Sequence, residues 1–284
     1  MTRCGGVQKL QSPIGRIDYT VVQWRDIPVG IDSTLRLGTE CATGSRAMLL
    51  CVHGWSLDHR SFAKQRALSG AGVSVAAFDR RGFGHNALPP GLDRELEDLD
   101  AILSALQGPV IGFGVSQGAR LLLRYVVTRP DRLAGLVLQG GLVDGLPVDE
   151  TELPIAHYAR LLKAGQRATF AREWLSHPLM SEGVPVDQQQ EVATLIAGYH
   201  GRDVLAESSD LAALDVAAAT AGLSLPMAVV DAEYETPLRR QHAAFLIEER
   251  GAARLAMSGG HLCHFTHSEI FNERLLEWLE QSGH

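Results

Sequence analysis

The pentapeptide Gly114-Val115-Ser116-Gln117-Gly118 constrains this chain more than any other stretch. It follows an apolar run at residues 109–113 and precedes a helix-like stretch at residues 119–128. A G-x-S-x-G pattern between strand and helix is typical of a nucleophile elbow, a turn so tight that side chains two positions either side of the serine would strike neighbouring backbone. The pattern predicts a strained, exposed Ser116, with free N–H groups of the next helix beside it.

Buried strands and helices alternate around this pentapeptide. Apolar runs at residues 47–52 and 109–113 have the composition of strands covered on both faces, and residues 73–78, apolar except for Ser74, predict another buried strand. Helix-like stretches occupy residues 61–70, 93–106 and 119–128, and we expect Asp93 to cap the second. This alternation predicts an α/β fold with a mostly parallel sheet, helices on both faces and a ligand site beyond the carboxyl ends of the strands.

The alternation of strands and helices does not extend over the whole chain: the first residues lack it, and it is interrupted before it resumes near the end. Residues 16–22 and 33–37 flank a turn at 28–30 and predict an antiparallel hairpin. Strands are predicted at 133–138, 225–230 and 254–256, and helices at 238–249 and up to residue 281. Between Asp144 and Gly222 the strand-like runs stop and proline-broken helical segments replace them. We therefore expect a core of residues 1–143 and 223–284 with a helical insertion, the cap, at 144–222.

Composition excludes several classes of partner. The 284 residues are 45% hydrophobic and 21% charged, with a net charge of −7 and no extended lysine or arginine cluster. This balance argues against binding nucleic acid or anionic membranes and favours a small molecule. The four cysteines lack C-x-x-C spacing, and we expect them to be reduced. We predict no signal peptide, no membrane span and a cytoplasmic location, whereas the oligomeric state has no indicator in the sequence.

On these landmarks the chain resembles the α/β-hydrolase family, in the form that carries a helical cap. The tripeptide His53-Gly54-Trp55 is similar to the family's oxyanion loop, and residues 79–84 resemble its D-x-R-G-x-G turn. Residues 114–118 match the elbow, and Gly260-His261 resembles the ending that carries the catalytic histidine. The resemblance covers nearly the whole chain and implies the order serine, acid, histidine.

The resemblance also implies a role for each of these residues. Ser116 is the expected nucleophile and His261 the base that takes its proton, while the backbone N–H groups of Trp55 and Gln117 bind the developing oxyanion. The acid is expected after the strand at 225–230, where Glu235 stands at the usual place of an aspartate. Asp231 and Asp144 are alternative acids, because one ends that strand and the other follows the strand before it.

The site predicts a cofactor-independent serine hydrolase that cleaves a carboxylic ester or lactone with an apolar part under the cap. Alternatives within the fold are a carbon–carbon bond hydrolase, a perhydrolase and a ligand-binding protein without turnover. A metal cluster of His261, His264 and His267 is disfavoured, because no carboxylate or thiolate stands at matching spacing. His53 is expected to support the oxyanion loop rather than to transfer protons.

Overall fold

The computed structural model describes residues 22–206 and 213–284. The strands in these ranges are β1 Gln23–Pro28, β2 Thr34–Glu40, β3 Ala47–Val52, β4 Val73–Phe78, β5 Val110–Val115, β6 Gly135–Gln139, β7 Met227–Ala232 and β8 Ala253–Met257. They form one sheet in the order β1-β2-β4-β3-β5-β6-β7-β8. Strand β2 runs antiparallel to β1 and β4, and every other pair is parallel. The predicted mostly parallel sheet is confirmed.

The helices of the described ranges lie before, between and after these strands. The α-helices are α1 Leu92–Ala105, α2 Gln117–Thr128, α3 Ile155–Lys163, α4 Arg167–Leu175, α5 Pro178–Ser181, α6 Gln189–Ala197, α7 Arg202–Leu205, α8 Val216–Ala219, α9 Pro237–Ala244, α10 Cys263–Thr266 and α11 Ser268–Gln281. Helix α9 continues as a π-helix over Phe245–Glu249. The 3₁₀ helices are His59–Ala71, Pro130–Arg132, Val186–Gln188 and Thr220–Gly222.

Strand β3 shows how the core is built on both faces of the sheet. All six of its residues are buried. Met48, Leu50 and Val52 belong to a hydrophobic cluster that includes the buried faces of α1 and α2. Leu49 and Cys51 belong to a second cluster, formed with the 3₁₀ helix His59–Ala71 and α11. Because side chains alternate along a strand, a continuous apolar run supplies both layers, as predicted for a central strand.

The opening hairpin lies later in the chain than predicted. Strands β1 and β2 pair around the predicted turn at 28–30. Residues 16–21 of the predicted first strand lie outside the described residues. The strand that does pair, β1, is an edge strand in which Ile27 alone is buried. An edge strand with one buried residue has no alternation of apolar and polar side chains, which is why sequence reasoning missed it.

Helix α1 begins differently from the sequence prediction, so the assignment of Asp93 as its cap is wrong. The residue before the helix is Gly91, and no side chain caps the first turn. Asp93 lies inside that turn, where its charge is favourable at the positive end of the helix dipole. The stretch predicted as a helix at 61–70 is the 3₁₀ helix His59–Ala71, which Asp58 caps by accepting a hydrogen bond from Arg60 N.

The carboxyl ends of the parallel strands collect the polar landmarks at one edge of the sheet. His53 follows β3, Asp79 follows β4 and Ser116 follows β5. Glu235 lies three residues beyond β7, and His261 lies four beyond β8. Parallel strands open at the same edge, so residues far apart in sequence meet there.

Helices α3 to α8 all lie between β6 and β7, a stretch without any strand in its described residues. This insertion packs against the loops at the carboxyl edge of the sheet. The insertion and these loops contact each other through aromatic side chains. We call this group the aromatic cluster; it comprises Trp55, Phe83, Tyr158, Phe170, Trp174 and Tyr199. Trp55 lies at its centre, with ring centroids 5.0 Å from Trp174 and 5.3 Å from Tyr199. The insertion therefore shares a hydrophobic core with the loop that follows β3.

Candidate active site

Ser116 occupies the turn between β5 and α2. Its backbone angles are φ 55° and ψ −116°, a conformation that residues with side chains rarely adopt. The flanking glycines leave no room for a side chain. A Cβ at Gly114 would lie 2.6 Å from Ala119 N, and a Cβ at Gly118 would overlap Val52 O. This is the turn geometry that the G-x-S-x-G pattern predicts. The predicted exposure of Ser116 is wrong, however: the residue is 8% exposed, because Gly54 and Arg239 pack against it at the edge of the sheet.

His261 and Glu235 form a buried hydrogen-bonded pair. His261 Nδ1 lies 2.7 Å from Glu235 Oε2, and the two residues are 3% and 8% exposed. A carboxylate only accepts hydrogen bonds, so Nδ1 carries the hydrogen and Nε2 keeps its lone pair. Burial raises the pKa of Glu235, but the charge that His261 carries when protonated, its hydrogen bond and the nearby Arg239 charge outweigh burial and lower that pKa on balance. The geometry thus favours an ionised carboxylate that orients a basic imidazole.

Gly140, directly after β6, makes room for this pair. Its φ of 58° lies in the left-handed region, and a Cβ there would lie 2.5 Å from His261 Nδ1 and 2.6 Å from Glu235 Oε2. Any side chain at position 140 would therefore occupy the space in which the imidazole and the carboxylate meet.

The two alternative acids have other partners. Asp144 Oδ1 lies 2.6 Å from Arg120 Nε, and its Oδ2 lies 3.1 Å from Arg124 Nη1. Asp231 is still within β7 and accepts from Arg254 Nε at 2.6 Å. Of the three carboxylates weighed from the sequence, Glu235 is the one that contacts His261.

The partner of the Ser116 hydroxyl is a residue that sequence reasoning missed. Arg239 Nη1 donates to Ser116 Oγ at 3.3 Å, and within the described chain His261 makes no hydrogen bond to that oxygen. A hydroxyl oxygen that accepts from Arg239 still has its own hydrogen to donate, so this contact leaves the proton of Ser116 available to a base. Hydrogen bonds between catalytic groups are often long before substrate binds.

The predicted oxyanion loop lies against Ser116. A Cβ at Gly54 would lie 3.0 Å from Ser116 Cβ, which places the loop after β3 directly beside the serine. Neither the Trp55 nor the Gln117 backbone N–H donates to an acceptor in residues 22–206 and 213–284. Gln117 is the first residue of α2, where a helix has no internal partner for its N–H groups. Both predicted donors therefore keep their hydrogen-bonding capacity for a ligand.

His53 and Arg80 hold this loop in place. His53 Nδ1 donates to Gly54 O at 2.9 Å, and its Nε2 accepts from Arg80 N at 2.9 Å. Burial, followed by the nearby Arg80 charge, lowers the pKa of His53 to about 4. The Arg80 guanidinium also donates to His53 O at 3.2 Å and to Gln117 Oε1 at 2.8 Å. His53 is thus a neutral support of the loop, and Arg80 connects the loop to the residue after the nucleophile.

Gln139, the last residue of β6, connects the serine turn to the histidine loop. Its carbonyl accepts from Ser116 N at 2.7 Å, and its Nε2 donates to His261 O at 2.8 Å. The same Nε2 lies 2.9 Å from His264 Nδ1. Gln139 is fully buried, so these bonds are shielded from water and fix the two loops relative to each other.

The histidines near the C-terminus do not share a ligand position. His261 pairs with Glu235, His264 with Gln139, and His267 Nδ1 lies 3.0 Å from Thr266 Oγ1. These separate partners leave no common point toward which the three rings converge.

A different group in the described chain has metal-like spacing. Asp58, His59 and Asp79 place one ligand atom each within 4.8 Å of one another. His59 Nδ1 lies 2.6 Å from Asp79 Oδ1, and Asp58 Oδ2 lies 2.7 Å from Arg60 Nη2. Because these groups already pair with protein partners, they stabilise the loops after β3 and β4.

The fold and this site define the class to which the chain belongs. A family model described as the alpha/beta hydrolase family matches residues 49–274. That range contains the serine turn, the oxyanion loop, Glu235 and His261. The chain is a member of the alpha/beta hydrolase family.

Solved structures with the same fold include enzymes of several kinds. MenH from S. aureus is 18% identical, with a TM-score of 0.75, over 87% of this chain and 99% of that one. A bromoperoxidase from Bacillus anthracis is 22% identical, with a TM-score of 0.70, over 91% and 100%. A thermophilic esterase from Thermogutta terrifontis is 20% identical, with a TM-score of 0.72, over 92% and 100%. At these identities the likeness shows the fold alone.

None of the helices in the described ranges combines the length and the apolar character that crossing a membrane requires.

Proposed function

We propose that this chain is a cofactor-independent serine hydrolase that cleaves a carboxylic ester or a lactone. The observation that supports it most is the 2.7 Å contact between His261 Nδ1 and Glu235 Oε2, at the sheet edge where Ser116 also lies. A carboxylate, an imidazole and a strained serine together make up the machinery of acyl transfer.

The first half of the reaction forms an acyl-enzyme. Ser116 Oγ attacks the carbonyl carbon of the substrate while His261 Nε2 takes the hydroxyl proton. The carbonyl oxygen becomes an oxyanion that accepts from the Trp55 and Gln117 N–H groups, a contribution of about 3 kcal/mol per donor where measured in a serine protease. His261 then gives its proton to the leaving alcohol as the carbon–oxygen bond breaks.

The second half repeats these steps with water. His261 takes a proton from the water molecule, whose oxygen attacks the acyl carbon, and the proton passes to Ser116 Oγ as the acid leaves. Glu235 stays ionised throughout and stabilises the imidazolium that forms in each half.

We propose that the insertion at 144–222 serves as a cap over this site. Its side chains in the aromatic cluster lie against Trp55, whose backbone N–H is an assigned oxyanion donor. An apolar part of the substrate would replace some of the contacts that these rings now make with one another. Such contacts discriminate substrates by about 1–3 kcal/mol each.

Covalent labelling tests the proposal. We expect a fluorophosphonate to modify the wild-type protein on Ser116, and Ser116→Ala to abolish labelling and lower kcat for p-nitrophenyl esters by about 10³-fold or more. Ser104→Ala is the matched control, because Ser104 is exposed on α1 and its loss should change neither result. A wild-type protein that reacts with no fluorophosphonate would contradict the proposal, as would ester hydrolysis unaffected by Ser116→Ala.

A further inference from the structure

A buried arginine stands beside the nucleophile, although acyl transfer by Ser116, His261 and Glu235 does not require one. Arg239 lies in the first turn of α9 and is 3% exposed. Its Nη1 donates to Gly140 O and lies 3.3 Å from Ser116 Oγ. The guanidinium therefore places a permanent positive charge next to the atom that would attack the substrate.

The carboxylate that balances this charge comes from the insertion. Glu152 Oε2 lies 3.2 Å from Arg239 Nη2, and Glu152 Oε1 accepts from Thr236 Oγ1. Glu152 precedes α3, and its side chain is 11% exposed. A buried guanidinium without an anion is costly, so Glu152 supplies the anion that Arg239 needs when no substrate is bound.

The way in which Arg239 holds Glu152 differs from two other buried arginine pairs, those of Arg81 and Arg80. Arg81 grips Asp98 with both Nε and Nη2, at 2.6 and 2.7 Å, and Arg80 uses the same two nitrogens on Glu95. In Arg239 the Nη2 alone reaches the carboxylate, and the buried Nε has no partner within the described chain. A guanidinium can bind a carboxylate through Nε and Nη2 together, and Arg239 uses one of these two nitrogens.

We propose that Arg239 recognises a carboxylate on the substrate, so that the chain hydrolyses monoanionic esters, such as monoesters of short dicarboxylic acids. The substrate carboxylate would take both Nε and Nη2 of Arg239 and displace Glu152. This inference rests on the proposed serine hydrolase activity. The short separation between Arg239 and Ser116 Oγ requires the carboxylate to lie close to the scissile carbonyl, while any apolar part extends toward the aromatic cluster.

A matched pair of esters tests the assignment. In p-nitrophenyl hemisuccinate a carboxylate replaces the terminal methyl group of p-nitrophenyl butyrate. We expect wild-type kcat/KM to favour the hemisuccinate, and Arg239→Met to lower the hemisuccinate-to-butyrate ratio by about ten- to a hundredfold, since bidentate bonds between charged groups are strong. A second pair, O-acetylglycolate and ethyl acetate, places the carboxylate on the alcohol part instead of the acyl part. A wild-type protein that favours the uncharged ester in both pairs, or Arg239→Met ratios that are unchanged in both pairs, overturns the inference.

Arg240→Met is the matched control, because it removes the same charge from the exposed side of the same helix. The ratio should stay at the wild-type value in this variant. The ratio also tolerates partial misfolding, since both esters report on the same population of active molecules. If Arg239→Met yields no folded protein, Glu152→Gln tests whether Arg239 recognises a substrate carboxylate. It removes the competing anion and should raise the ratio, whereas an unchanged or lower ratio contradicts the inference.

Failure of the inference is distinguishable from failure of the proposed function. Hydrolysis of the esters in both pairs without preference for the anion leaves a serine hydrolase and removes the role of Arg239. If none of these esters is hydrolysed and no fluorophosphonate adduct forms, the proposed function fails. Succinate binding then tests Arg239 independently: we expect succinate to raise the melting temperature of the wild-type protein more than that of Arg239→Met, and equal shifts overturn the carboxylate site.

Discussion

Glu235 determines which nitrogen of His261 is free to act as a base. The carboxylate accepts from Nδ1 and thereby leaves the lone pair on Nε2. An amide in its place favours the wrong tautomer. We therefore expect Glu235→Gln to lower kcat for p-nitrophenyl acetate by about 10²–10⁴-fold, as loss of the orienting carboxylate does in other triads, with little change in melting temperature. Steady-state kinetics and circular dichroism measure the two quantities.

Asp144→Asn is the control for that variant. Asp144 binds Arg120 and Arg124, so the amide should leave kcat near the wild-type value and lower thermal stability instead. The reverse pattern, a large loss of kcat in Asp144→Asn with Glu235→Gln unaffected, would move the acid to Asp144.

At the residue scale, sequence patterns identified the groups that have a fixed place in the fold. Ser116 stands in a short motif with a steric reason for each glycine, and His261 and Glu235 follow strands at the expected edge. Arg239 and Glu152 have no such pattern, because one is an ordinary helical residue and the other belongs to the insertion. Their proximity to Ser116 depends on how α9 and the insertion pack at the edge of the sheet. That packing is a tertiary property, which the local sequence does not predict.

Among the elements, α3 and α4 of the insertion supply three of the rings that face Trp55, those of Tyr158, Phe170 and Trp174. Trp174 is 2% exposed, and its Nε1 donates to Ser56 Oγ at 2.7 Å. We expect Trp174→Ala to shift the preferred ester toward longer acyl chains, because removal of the indole opens space that a longer chain can fill. Turnover of p-nitrophenyl acetate should stay within about tenfold, because so small a substrate makes no contact at this distance. The measurement is kcat/KM across a series of p-nitrophenyl esters.

The truncation also removes a large buried ring, which costs about 3–5 kcal/mol of stability. Assays should therefore run well below the melting temperature of the variant. Tyr158→Ala is a second test, because Tyr158 packs 5.5 Å from Trp174 on the neighbouring helix. An equal fall of the acetate and long-chain activities in both variants would mean that the insertion supports folding rather than substrate choice.

The central strands were the easiest elements to predict. Strands β3 and β4 have the bounds that their runs indicate, because burial on both faces makes all of their residues except Ser74 apolar. Strand β7 is displaced by two residues from the predicted 225–230, since Pro226 lies before its first ladder residue. Exposed β1 had no usable pattern, and the folding of α3 to α8 over the sheet edge follows from tertiary contacts that periodicity does not encode.

On the scale of the whole molecule, two buried histidines make the fold sensitive to acid. Burial lowers the pKa of His53 to about 4 and that of His264 to about 3, while an unfolded histidine titrates at about 6.5. Between the pKa in the folded protein and the pKa in the unfolded chain, the unfolded chain binds more protons than the folded protein. The free energy of unfolding therefore falls as the pH falls. We expect the titration of each histidine to lower the free energy of unfolding by about 2 kcal/mol between pH 7 and pH 5.

Urea unfolding at pH 7 and pH 5 measures this loss. His264→Asn keeps an acceptor for Gln139 and binds no proton, so its stability should fall by about 2 kcal/mol less than that of the wild-type protein. His85→Asn removes an exposed histidine and should retain the wild-type dependence. An identical loss in His264→Asn and the wild-type protein would show that His264 does not contribute to the acid sensitivity.

The space beside Gly140 has a consequence for how this chain can change by mutation. The imidazole and the carboxylate meet where a side chain at position 140 would lie. A single added methyl group would separate them, whereas removal of a whole indole from the aromatic cluster leaves them in contact. We therefore expect the loss of activity not to scale with the number of atoms that a substitution adds or removes. In a library of random substitutions selected for activity, we expect every substitution of Gly140 to be eliminated early, although glycine has no functional group of its own.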